Sequence, residues 1–328
     1  MLELTDPLWA KLDAAYRDRD VPELLRELAV SWSEETASTL LHEMWHQGTC
    51  YGSTYAAIPH LLQIAEPEKN REQRREIAFF LAQVALDSRG QLLDDPPEGA
   101  ALQGLPETLE GWDRTLDGCR SLVEMAESRG RPRSKQERER LSHFKELLSK
   151  PVNDEDLEKI LSIKAEFYRA LPAIRALCER TLLEWSAEKD PDEEAMPYLL
   201  SGIAAADGLI GMARLLNFGS DGLFGCASCG WGYEYCQFGE RIAIYADDAP
   251  GTSHADRAVE DYQDGAPSRA DGFLVPVADD DALDARIAAL LSLAERAPGP
   301  VPALLVRHFA GSFVCCKCGV RGPMRAVR

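Results

Sequence analysis

Two short stretches near the end of the chain constrain its fold more than anything else in it. One reads Cys226-Ala-Ser-Cys229-Gly230, the other Cys315-Cys316-Lys317-Cys318-Gly319. Each places a C-x-x-C pair directly before a glycine. That spacing sets two thiolates on one tight turn, and the glycine lets the turn reach positive φ and brings backbone N–H groups to the sulfurs. Two such turns supply four soft ligands, a set that suits tetrahedral zinc. The expectation is one structural zinc per chain, held by Cys226, Cys229, Cys315 and Cys318. With four protein ligands no position remains open for a catalytic water. The competing reading is two redox dithiols or a disulfide, but a redox pair of this type accompanies a βαβ pattern, which the sequence lacks. Cys316 competes as a ligand in the second turn, although it stands only two residues from Cys318. Cys236 lies nearby without a C-x-x-C partner.

Upstream, from Pro7 to about Phe218, the pattern is helical and strand patterns are absent. Leu24, Leu25 and Leu28 make one apolar stripe, Leu40, Leu41, Met44 and Trp45 the next, then Ile58, Leu61, Leu62 and Ile64, then Ile77, Phe79, Phe80, Leu81 and Val84. Short amphipathic helices joined by short polar turns cannot each bury a face alone, so they are expected to stack in antiparallel pairs. Ser88–Pro106 reads as a loop, Glu107–Ser128 as a helix, and 135–150 as a solvated helix. Asn153 reads as an N-cap ahead of Asp154, Glu155 and Asp156. A long stripe from Leu157 to Trp185 carries Pro172, and Asp192–Leu216 is again helical. Composition changes at 217–222. Beyond it Ile242, Ile244 and Tyr245 alternate as a strand, Asp247–Gly272 reads as an acidic loop, Phe273–Val277 as a second strand and Asp279–Arg296 as a helix. The implied fold class is mainly α: a HEAT-like α-solenoid over residues 1–218, then a small α+β zinc-ribbon domain over 219–328. Zinc would close the long insertion between the cysteine turns and replace the hydrophobic core this small region lacks.

The 328 residues are 45% hydrophobic and carry a net charge of −19. Such a charge disfavours nucleic acid and anionic membrane and favours a basic protein partner, although acidity also serves solubility alone. Met1–Leu12 has no long apolar run, and Ile203–Leu216 is short and interrupted by Asp207 and Arg214, so neither a signal peptide nor a membrane span is expected. Cys50, Cys119 and Cys178 read as small core residues, reduced in a cytoplasm.

The stretch His46-Gln47-Gly48-Thr49-Cys50-Tyr51, continuing Ser53-Thr54-Tyr55-Ala56-Ala57-Ile58-Pro59-His60-Leu61, resembles a family of bacterial HEAT-repeat-like proteins. These share a Trp/Cys-His-Gln-Gly-x-x-Tyr … Ala-x-Pro-x-Leu segment between two helices, and some carry a zinc ribbon like the cysteine turns here. The resemblance covers about a fifth of the chain. It implies an α-solenoid that presents a concave surface to another macromolecule, and it brings no catalytic residue with it.

His42-Glu43-Met44-Trp45-His46 also matches H-E-x-x-H, in which two histidines one helical turn apart bind zinc and the glutamate is the general base. No third histidine follows at the spacing such enzymes use, and Gly48 lies only two residues past His46. The alternative places His46 in the last helical turn, with Gly48 ending the helix. Trp231, Tyr233 and Tyr235 read as packing around the first cysteine turn rather than as a binding patch. No phosphate loop, dinucleotide fingerprint or nucleophile elbow is present. The sequence therefore points to a non-enzymatic protein-binding module, in its sharper form an immunity protein that occludes a basic toxin. A metalloprotease using His42, Glu43 and His46, or an adaptor in a regulatory complex, are the alternatives.

Overall fold

A computed structural model describes residues 1–15, 19–66, 70–88, 102–128, 134, 138, 141–142, 144–145, 148–149, 151–219, 221–246, 254–278 and 283–326. The chain is mainly helical, with small antiparallel sheets concentrated in its C-terminal region. Its backbone contacts separate it into two units, one built from Met1–Gly90 and Pro97–Ala173 and the other chiefly from Ile174–Arg328.

In the first unit, α1 (Val21–Val30) packs on α2 (Glu34–Met44) and on α3 (Gly52–Ala65), and α3 packs on α4 (Arg71–Asp87). The stripes legible in the sequence are the buried ones: Leu24, Leu25, Leu40, Met44, Ile58, Leu61, Ile77 and Leu81 are all almost fully enclosed. The starts of α2 and α4 are each capped by a side chain that takes up an otherwise unpaired N–H. Ser33 Oγ accepts from Thr36 N at 3.4 Å and Asn70 Oδ1 from Gln73 N at 3.1 Å. After α5 (Leu109–Ser128), α6 (Asp154–Ser186) opens with a reciprocal cap. Asn153 Oδ1 accepts from Asp156 N at 2.9 Å, and Asp156 Oδ2 accepts from Asn153 N at 3.0 Å. Lys11 pairs with the same Asp156 carboxylate.

The expectation that this region holds no strand is corrected. α2 stops at Met44, and Trp45 is already extended at φ −146°, ψ 129°. Strands β1 (Trp45–His46) and β2 (Thr49–Cys50) pair antiparallel, Trp45 opposite Cys50 and His46 opposite Thr49. Between them Gln47 and Gly48 take φ of 50° and 74°. A two-residue turn with both φ positive matches the twist of the strands it joins. Gly48 therefore turns a hairpin rather than ending a helix.

The second unit contains α7 (Met196–Ala206) and α8 (Ile210–Asn217), separated at Gly208, whose φ of 82° breaks the helix. Strands β3 (Asp221–Cys226), β4 (Gly232–Phe238), β5 (Arg241–Ala246), β6 (Gly272–Phe273) and β9 (Met324–Ala326) form an antiparallel sheet in the order β6-β5-β4-β3-β9. A separate hairpin joins β7 (Phe313–Val314) to β8 (Arg321–Gly322). Helix α9 (His254–Asp264) lies against β4 and β5, where the sequence read as loop. α10 (Ala285–Ala294) packs on α7, and α11 (Val301–Phe309) on α8.

The composition change at 217–222 thus falls inside the second unit. α8 packs against β3 and β9, and Tyr235 Oη donates to Leu215 O at 2.9 Å. The expected loop over 88–106, the solvated helix over 135–150 and the acids at 247–248 and 279–281 lie largely or wholly outside the described residues.

Candidate metal centre

Both cysteine turns are built alike. In the first, Gly230 N donates to Cys226 O at 2.8 Å and Cys226 N to Trp231 O at 2.8 Å. In the second, Gly319 N donates to Cys315 O at 2.8 Å and Cys315 N to Val320 O at 3.1 Å. Gly230 and Gly319 sit at φ of 73° and 69°, the left-handed conformation that closes each turn and that side chains strain to adopt. The first turn connects β3 to β4, and the second connects β7 to β8. Strand β9 then returns beside β3, with Met324 opposite Cys226.

This topology brings Cys226, Cys229, Cys315 and Cys318 together, their sulfurs all within 4.8 Å of one another. Cys226 Sγ lies 3.9 Å from Cys318 Sγ, and Cys229 Sγ 3.7 Å from Cys315 Sγ. A tetrahedron with metal–sulfur bonds of about 2.3 Å has edges of about 3.8 Å. A disulfide needs about 2.0 Å, so the spacing is that of separate thiols around a common point. The four cysteines could hold a metal ion. Two are buried and two exposed, which puts the centre at the edge of the sheet.

Cys316 stands outside this group. It is exposed, and its sulfur lies 3.3 Å from Tyr233 Oη. Cys236 is buried elsewhere, against Ala243, Tyr245 and Ala258. Within Cys315-Cys316-Lys317-Cys318, Cys315 makes the same two backbone hydrogen bonds as Cys226.

The electrostatics of the cluster favour a cation at its middle. The N–H of Trp231 alone would lower the Cys229 thiol, but burial and the neighbouring Cys226, Cys315 and Cys318 push it up to about 12. Burial would raise Cys315; hydrogen bonds from Tyr233 and from the backbone N–H groups of Cys318 and Lys317 bring it down to about 6. Cys315 is thus drawn toward its thiolate, while Cys229 and Cys318 are pushed toward their thiols. A divalent cation at the centre removes that conflict, because metal binding and thiol deprotonation are coupled.

Tyr233 is the functional side chain that the sequence did not single out for this role. Its hydroxyl donates to Cys315 Sγ at 3.0 Å and accepts from Cys316 N at 3.0 Å. Its ring is 2% exposed and stacks on Phe224 at 5.2 Å, and both rings meet Phe313 edge-on. The expectation that Tyr233 and Tyr235 pack holds, but the region does not lack a core. Phe224, Tyr233, Tyr235, Phe309 and Phe313 form one beneath the cysteine turns. Trp231 lies farther out, with Lys317 Nζ 4.1 Å from its ring centre. Partners of this kind orient metal ligands, and losing one typically costs about 10–100-fold in metal affinity. Tyr233→Phe keeps the ring and removes only the hydroxyl. It is expected to weaken metal retention within that range in a competition titration with a chelator, at unchanged far-UV circular dichroism.

The H-E-x-x-H residues are arranged differently from the signature. His42 is on α2, but His46 is on β1 beyond the helix end, so the two do not share one helix face. Glu43 is 2% exposed, and its carbonyl accepts from Ala15 N at 2.7 Å. Among the described residues, the four cysteines are the group that gathers three or more ligand atoms at metal-binding distance.

No family model, curated protein or solved structure matches this chain. Fold and site together define a mainly helical protein with a C-terminal antiparallel sheet bearing a four-cysteine centre. No helix of the described residues is long and apolar enough to cross a membrane.

Proposed function

We propose that this is a non-enzymatic protein-binding module. In this reading its cysteine centre holds one structural zinc, and its helical part binds a basic protein. The observation that carries the binding reading is the net charge of −19. At physiological salt such a field reaches about 8 Å from the surface and speeds encounter with a cationic partner while slowing approach to nucleic acid. Zinc is the metal because four thiolates in a tetrahedron suit it and leave no open position for chemistry. The packing of α1 on α2 and α3, and of α3 on α4, supports a HEAT-like α-solenoid, although that resemblance rests on the 46–61 segment. Solenoids bind with a broad concave face, without chemistry of their own.

The sharper form is an immunity protein. A toxin that acts on nucleic acid must carry a basic cleft, and an acidic repeat surface would inhibit it by covering that cleft. The contacts fall on exposed acids of the helical part, with α9 in place of the expected acidic loop. An adaptor in a regulatory complex is the second reading, and a partner without basic character would favour it.

The test is the association rate between the purified protein and its protein partner across a salt series. Steering of this kind changes on-rates by about 10- to 1,000-fold, so a fall of at least tenfold from low to high salt is expected. A neutral or acidic partner whose association rate stays flat would contradict the charge reading. For the metalloprotease alternative, the end of α2 at Met44 leads to a separate expectation. Neither the wild type nor Glu43→Gln should cleave a broad peptide library. Zinc-restored cleavage that Glu43→Gln abolishes would reverse this.

A further inference from the structure

A second surface in the first unit has the character of a docking site. Between α2 and α4 runs a groove of about 510 Å³. Its floor is apolar, made by Leu41 and Trp45 from one side and Phe79 and Phe80 from the other. The rim carries two carboxylates, Glu34 and Glu76. Trp45 is fixed at the wall, because its Nε1 donates to Asp87 Oδ2 at 2.8 Å. The α2 rim at Glu34, Ser38 and His42 is exposed.

Two physical features decide the kind of occupant. The first is shape. Small-molecule sites enclose about 70–90% of their ligand, whereas the α2 side of this groove is exposed at Glu34, Ser38 and His42. An open apolar trough between two helices instead takes the apolar face of a third, read through residues one turn apart. The second is charge. Burial raises the Glu76 carboxyl above its ordinary range, and the nearby Glu34 and Glu72 raise it further. Neither Glu34 nor Glu76 is in a salt bridge among the described residues. A cation arriving at the rim would relieve this repulsion, while its aliphatic stem covered the aromatic floor.

We infer that the α2–α4 groove docks an amphipathic helix of a basic partner protein. Its apolar face lies on Trp45 and Phe79, and a lysine or arginine one turn away reaches Glu34 and Glu76. This deepens the binding reading above and rests on it for the identity of the partner as a basic protein.

The experiment uses the full chain and a fluorescein-labelled helical peptide of leucine, alanine and lysine, read by anisotropy. The same peptide with glutamate for lysine, and phenethylammonium as competitor, are the comparisons. Binding of the lysine peptide is expected. Glu34→Gln with Glu76→Gln should weaken it by about fivefold, the scale of two exposed ion pairs. Ser38→Trp fills the groove from an exposed position and should abolish binding while far-UV circular dichroism stays unchanged. Equal binding of the glutamate peptide, indifference to Ser38→Trp, or binding of phenethylammonium without the peptide would each overturn the groove assignment. The two readings fail separately. A basic partner that binds in a salt-dependent way but ignores Ser38→Trp removes the groove and leaves the binding function. A groove that takes the peptide, in a protein whose partner associates independently of salt, does the reverse.

Discussion

Cys229→Ser is expected to release the metal and loosen the turns at 226–230 and 315–319, while the helices keep their circular dichroism. The reason lies in how little else holds the second turn. β7 and β8 pair through two residues each, and a two-stranded hairpin is at best marginal in water. β9 reaches β3 through three residue pairs. A metal held there would tie 226–229 to 315–318 across 85 intervening residues, counted from Cys229 to Cys315. Apparent binding energies of structural zinc are about 10–16 kcal/mol, so removing one thiolate of four is a large loss to so small a region. Limited proteolysis should then cut between residues 313 and 326 clearly faster than in the wild type, because metal binding and local folding are coupled. Unchanged proteolysis in a metal-free variant would mean that the aromatic core alone holds the turns.

Phe224→Ala tests that core directly. Phe224 is fully buried and touches Tyr233, Tyr235 and Phe313 with its ring. Truncating a buried phenylalanine costs about 3–5 kcal/mol, through lost burial and the cavity left behind. The cost should appear as a lower denaturant midpoint for the near-UV signal of the sheet, with metal content still at the wild-type level at low temperature. The core lies beneath the ligands and supplies none of them. A loss below about 1 kcal/mol would show that the metal dominates the stability of the sheet. Simultaneous loss of metal would show that the two cannot be separated.

The two cysteine turns were legible because C-x-x-C-Gly is a local signal: spacing and the left-handed glycine fix the turn wherever it sits. That the two turns meet was also a fair inference from their number. Other features were hidden for physical reasons. α9 escaped the hydrophobic pattern because its inward residues include Arg257 and Asp261. The Asp261 carboxylate is fully buried and accepts from Tyr245 Oη at 3.0 Å and from Arg269 N at 2.8 Å. A helix held by buried polar groups leaves little apolar periodicity to read. The β1–β2 hairpin escaped because two-residue strands are too short for alternation to register. The H-E-x-x-H match arose because sequence spacing does not reveal that α2 ends at Met44. The division between Ala173 and Ile174 was hidden because α7 and α8 look like more of the preceding helices. Their packing onto α10, α11 and the sheet is a matter of tertiary contact alone. The hydroxyl of Tyr233 belongs to the same class, since it meets Cys315 from 82 residues away.

Elemental analysis of freshly purified, reduced protein is the most direct measurement. The expected result is one zinc per chain in the wild type and in Cys316→Ser, and none in a Cys229→Ser, Cys318→Ser double variant. Wild-type protein without metal, or a double variant that keeps its zinc, would contradict the assignment of Cys226, Cys229, Cys315 and Cys318 as a structural zinc centre.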